Sequence, residues 1–170
     1  MSDEHDAGLA RGAGFSDIRI SRLSDGSRDG TAAYGVVPGS RPALSLQGEV
    51  IAVKHVAAGA GVSYGYTHRT ATPTTLALIG LGYADGVPRL ASNRAQVLLA
   101  GARRPLVGRI AMDQLVVDCG DSAPEVGATA VLFGDPARGE PSAAEWGVWT
   151  ERNPLALLAG LGHRITREAR

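Results

Sequence analysis

From Ala43 onward the apolar residues recur at every second position. In ALSLQGEVIAVKHV (43–56), Leu44, Leu46, Val50, Ala52 and Val56 share one parity, the pattern of a strand with one buried face. TTLALIGLGY (74–83), AQVLLAG (95–101), RRPLVGRIAMDQLVVDCG (103–120) and ATAVLFG (128–134) predict further strands, punctuated by Gly and Pro. Strands so closely spaced leave no room for crossover helices, which predicts a mainly antiparallel, barrel-like β-domain.

Past residue 140 the pattern turns helical. Ser142-Ala143-Ala144-Glu145 is a capping box that opens a helix ending near Glu151. Trp146 and Trp149 stand three apart and share its buried face. Asn153-Pro154 predicts a second helix start, and GLGHRITR (160–167) a closing turn and short strand. The one or two helices are therefore short and C-terminal. Upstream, residues 1–26 are rich in Gly, Ser, Asp and Arg, with one short strand predicted around 18–20. Asp3, Glu4, His5 and Asp6 read as a solvated tail and not as a metal site. The division is an N-terminal extension over 1–40 and a β-domain over 41–170.

Composition narrows the function classes. Seventeen basic and seventeen acidic residues cancel, so nothing points to nucleic acid or an anionic membrane surface. No apolar run has the length of a membrane span and no signal peptide is evident. Cys119 is alone, which excludes an internal disulfide and a cysteine metal site. The expectation is a cytoplasmic protein.

Chemistry concentrates in GAGVSYGYTH (59–68). Gly61 to Gly65 form a G-x-S-x-G, which would make Ser63 a nucleophile if a helix followed directly. YTHRTATPTT does follow, and its β-branched residues and Pro73 oppose a helix. Tyr64 is the alternative. A tyrosine, with a reference pKa of about 10, serves as a base only where positive charge lowers that value. His68 and Arg69 lie in the same stretch, and Arg89 and Arg109 come from other strands.

The ordered set GVSYG (61–65), GYADGVPR (82–89) and GRIAMDQ (108–114) closely resembles the C-terminal β-domain of alanine racemase, from about Arg41 to Arg167. RPALSLQGEVIAVKHV ahead of the set and GLGHRITR behind it add to the likeness. The resemblance implies a pyridoxal-phosphate enzyme in which a barrel lysine holds the cofactor. It makes Tyr64 the opposing base, delivered across a dimer interface, and Met112 and Asp113 the pair near the substrate carboxylate. It also implies Tyr83 as an entrance tyrosine, with Arg89 and Arg109 lining that entrance. The catalytic candidates are thus Tyr64, Arg109 and Asp113, and the substrate-binding ones Tyr83, Arg89, Met112 and His68. SRDGTAAYG (27–35) looks like the last barrel strand, which would set Arg28 near the pyridine nitrogen and Gly30 and Thr31 near the phosphate.

Departures from the pattern set the functional expectation. About 250 residues of barrel belong ahead of such a domain, and this sequence lacks them together with their lysine. Lys54 is the sole lysine and falls on a strand of the β-domain. A further phosphate-holding tyrosine falls on Leu155, or on Pro154 if the register slips by one. No cofactor is expected on this chain in isolation; pyridoxal phosphate enters only if a barrel partner supplies the lysine. Three roles follow: a half-site completing a separate barrel, a repurposed cofactor-free isomerase or cyclase, or a non-catalytic binding or regulatory domain. The partners expected are a small-molecule substrate and either a barrel protein or a second copy of the chain. An unpaired domain would expose a face that residues 1–40 could cover.

Overall fold

The computed structural model describes residues 21–22, 28–29, 34–36 and 41–168. The strand expected at 18–20, and most of the covering segment 1–40, lie outside the described residues. Two short strands, β1 (Ser21–Arg22) and β2 (Arg28–Asp29), pair antiparallel.

The body of the domain is a six-stranded sheet. Its strands are β3 (Leu46–Val56), β6 (Thr74–Ile79), β7 (Gln96–Leu99), β8 (Ala102–Pro105), β9 (Leu115–Asp118) and β10 (Thr129–Phe133). A small hairpin, β4 (Gly61–Val62) and β5 (His68–Arg69), stands apart from it. The strand order is β8-β7-β10-β3-β6-β9, with every pair antiparallel. A bridge between Leu106 and Val117 and a hydrogen bond from Val107 N to Val116 O (2.9 Å) join the two ends. The sheet is thus a nearly closed antiparallel barrel, as the spacing predicts.

Its interior holds Leu46, Val50, Ile79, Val97, Leu99, Leu115, Val117 and Leu132. Helices α1 (Ala143–Thr150) and α2 (Pro154–Ala159) add Trp146, Leu157 and Leu158 to that core. Trp146 is fully buried, with ring centroids 6.1 Å from Phe133 and 6.3 Å from Trp149. Ser142 and Glu145 form the capping box, and Asn153 caps the start of α2 through Leu155 N.

The structure corrects the sequence reading in three places. Parity along β3 holds only to Val50, because a register shift between Val50 and Ala52 advances the pleat. Ala52 therefore faces out and Val53 packs on the core. Second, 103–120 is not one run, since residues 106–114 leave the ladder between β8 and β9. Third, GLGHRITR forms a turn without a strand. It is held by a bond from Gly162 N to Asp85 O (2.8 Å), the side chain of Arg164 and the packing of Leu161 and Ile165 on the core, and no ladder builds. No helix among the described residues is long and apolar enough to cross a membrane.

The β7–β8 hairpin turns through Ala100 and Gly101, at φ 51° and 76°. Left-handed backbone costs an alanine about 1 kcal/mol relative to a tolerant residue. Ala100→Asn is therefore expected to raise the melting temperature by about 2–4 °C, measured by scanning calorimetry; an unchanged or lower value would show that the turn carries no such strain.

Glu145 accepts two hydrogen bonds from Arg103 and caps Ser142 N. Its carboxyl is held below the usual glutamate range, first by Arg103 and then, against some burial, by Ser142. Because the folded value is depressed, this contribution is complete above about pH 4.3 and is lost as pH falls through the folded value. Solvent screening keeps it small. Glu145→Gln should flatten the stability–pH curve below about pH 4.5, read by urea denaturation at successive pH values. A curve that kept its slope would assign that acid sensitivity elsewhere.

Candidate active site

The motif residues gather on one rim of the barrel because three connections meet there. The first is the loop of the β4–β5 hairpin, in which Val62 is buried opposite His68. A 3-10 turn spans Tyr64–Tyr66. Ser63, Gly65 and Tyr66 are all left-handed, at φ 59°, 71° and 47°. For Ser63 and Tyr66 that conformation is costly, and tertiary contacts offset it. Ser63 Oγ donates to Arg109 O at 2.5 Å. The Tyr66 ring lies so close over Gly61 that a Cβ there would overlap it, and Arg69 stands 5.4 Å above the ring.

This geometry gives the serine and the tyrosine different positions. Ser63 has a positive φ, but a 3-10 turn and not an α-helix follows it, and its hydroxyl is bonded to a carbonyl. It anchors the turn. Tyr64 is the tip, 70% exposed.

The second connection runs from Gly82 to Arg94, after β6. Tyr83 N and Ala84 N donate to Ala111 O and Met112 O, each at 3.0 Å. Gly82 is required there, because a Cβ would strike the Met112 carbonyl. Asp85, 5% exposed, accepts from Gly82 N at 2.8 Å and from Arg164 at 2.9 and 3.0 Å. Arg89 lies 5.5 Å from the centre of the Tyr83 ring.

The third connection, 106–114, carries Arg109, Met112 and Asp113. The Arg109 guanidinium lies 3.6 Å from where a side chain on Gly65 would begin, which brings it beside the Tyr64 turn. Asp113 Oδ1 accepts from Arg164 at 2.6 Å. Arg164 thus bridges the second and third connections, and Asp113 first, then Asp85, hold it more firmly protonated than a free guanidinium.

Tyr64 and Arg109 are therefore neighbours, as are Tyr83, Arg89, Met112 and Asp113. Tyr83 and Met112 are exposed beside one another. His68 sits opposite Val62 at the base of the hairpin, half-buried, and no hydrogen bond ties it to this group. Arg28 lies in β2, with its side chain outside the described residues, as is Gly30. Sequence reasoning missed Asp85, Ser92, Asn93 and Arg164. The only signal for Asp85 was its place inside GYADGVPR; for Ser92 and Asn93 there was none.

The sequence profile of the family described as alanine racemase, C-terminal domain, matches residues 43–169. An alanine racemase of Thermobifida fusca is 44% identical over 147 residues, covering 82% of this chain and 39% of the relative. One from Salinispora arenicola is 52% identical over 125 residues, covering 70% and 34%. Among solved structures, alanine racemase from Streptomyces coelicolor superposes with a TM-score of 0.78 at 38% identity, covering 95% of this chain and 48% of that one. Alanine racemase from Bartonella henselae, solved with covalently bound pyridoxal phosphate, gives 0.73 at 28% identity, covering 98% and 52%. The chain spans well under half the length of the curated relatives it matches.

Asp85 gives a test of how the rim is held. Asp85→Ala leaves the Gly82 amide without its carboxylate and should lower unfolding free energy by about 1–3 kcal/mol, measured in urea. Arg164→Ala removes an exposed, solvent-screened partner and should cost less than Asp85→Ala. Equal losses would show that the ion pair, and not the amide cap, holds the rim together.

Proposed function

The chain belongs to the alanine racemase C-terminal domain family, and from that premise we propose that it supplies the acid–base tyrosine of a racemase-type active site. Tyr64 carries the reading. A tyrosine that served packing would turn into the core, whereas Tyr64 stands outward on a turn that the Ser63 hydroxyl anchors to the Arg109 carbonyl. A held phenol can give or take a proton at a substrate carbon when one is brought to it. Arg109 places positive charge beside the same turn, and the second and third connections leave Tyr83 and Met112 exposed.

Pyridoxal phosphate fits this chain alone poorly. Covalent attachment needs a lysine, and Lys54 is exposed on β3, paired across the sheet with Leu76. No hydrogen bond or ion pair joins it to the Tyr64 turn. Leu155 and Pro154, at the position of the missing phosphate-holding tyrosine, offer no side-chain hydroxyl. The reading therefore assigns lysine and phosphate site to a barrel, in this polypeptide or another, and to this domain the opposing proton donor and acceptor. The exposed Tyr64, Tyr66, Tyr83, Leu90 and Met112 would meet that barrel.

Assembled with a barrel loaded with the cofactor, the domain should support racemisation of a small amino acid, followed by the exchange of Cα hydrogen for deuterium. Tyr64→Phe keeps the ring and removes the oxygen; it should reduce the rate by about 10²–10⁴-fold with folding intact. Full activity in that variant, or none with the unaltered domain, would sink the assignment.

A further inference from the structure

We propose that Ser92 and Asn93 are positioning residues that clamp the Arg109 backbone against the Tyr64 turn, an inference that rests on the half-site reading above. The peptide groups around Arg109 are held from all sides by side chains. Asn93 Oδ1 accepts from Gly108 N at 2.6 Å, and Ser92 Oγ accepts from Ile110 N at 3.0 Å. Ser63 Oγ donates to the carbonyl of Arg109 itself. The same two residues also hold their own connection and reach the hairpin loop. Ser92 Oγ donates to Arg89 O at 2.6 Å, and Asn93 Nδ2 donates to Thr67 Oγ1 at 3.2 Å, directly after the Tyr64–Tyr66 turn.

One dipeptide thus ties together the segments that carry Tyr64, Arg89 and Arg109. Its conformation is specialised for this. Asn93 is left-handed at φ 59°, a state asparagine tolerates better than other side chains of its size. Gly108, buried and at φ 76°, lies so near Ser63 that a Cβ would come within 2.8 Å of the serine Cβ. The peptide ahead of Arg109 therefore has one seat, and only the arginine side chain remains free to adjust. A site on connecting loops needs such support to hold geometry within about 0.5 Å.

The test separates clamping from general stability. Asn93→Gly keeps the left-handed backbone and removes both bonds. Asn93→Asp keeps the acceptor for Gly108 N and loses the donor to Thr67, while Ser92→Ala removes the acceptor for Ile110 N. In the 170-residue chain, amide exchange by NMR should quicken about tenfold at Gly108 in Asn93→Gly and at Ile110 in Ser92→Ala. The β7 and β9 amides should keep their protection, and the nuclear Overhauser contact between the Arg109 side chain and Gly65 should weaken. Asn93→Asp should restore Gly108 protection. With a cofactor-loaded barrel, Asn93→Gly should lower kcat and leave KM nearly unchanged. The proposal fails if Gly108 exchange and the Arg109–Gly65 contact are unaltered in Asn93→Gly. It also fails if core and loop amides quicken by one common factor. Exchange and Overhauser measurements need no turnover, so an active Tyr64→Phe enzyme would overturn the half-site reading while the clamp stood on its own data.

Discussion

The candidate site depends on the sheet coming round on itself. A bridge between Leu106 and Val117 and a bond from Val107 N to Val116 O draw the end of β8 across to β9. Residues 108–114 then have to bridge a short gap at one rim. That rim is where the β4–β5 hairpin and the Gly82–Arg94 connection also lie. Left open, the sheet would present two unpaired edges, and Arg109 would ride on a loop with nothing opposite to receive it. Closure converts chain segments remote in sequence into neighbours with fixed separations.

Once they are neighbours, polar side chains do the finer holding. Ser63, Asp85, Ser92, Asn93 and Arg164 each bond to a group on another connection or cap the turn beneath it. Costly backbone at Ser63 and Asn93 is tolerated because these bonds over-determine it. The division of labour is plain: the backbone is pinned, while Tyr64, Tyr83 and Met112 project from it uncovered by the described chain. Rigid support with exposed tips suits groups that must meet a surface brought from elsewhere.

The serine and tyrosine of GVSYG show how far residue types carry an argument. Rejecting Ser63 needed only the absence of a following helix, which β-branched residues and Pro73 already announced. Giving the hydroxyl a positive role needed the Arg109 carbonyl, 46 positions away. Strand parity behaved similarly. Leu46 and Val50 were legible as core, but the bulge that exposes Ala52 and turns Val53 inward answers to pairing with β6, which is not a local property.

By itself the sequence determined where most strands of the sheet run, both helix starts with their capping residues, the antiparallel barrel class and the family motifs. Those features depend on alternation, propensity and caps, interactions among residues a few positions apart. Only the tertiary structure decided that Arg164 reaches across 79 positions to Asp85 and across 51 to Asp113, or that Asn93 receives the amide of Gly108. A polar side chain's partner is set by which segments closure brings within about 3 Å, and no local pattern encodes that distance. Hence the chemically distinctive tip, Tyr64, could be named from its motif, while the residues that hold its surroundings in place became visible only in the folded chain.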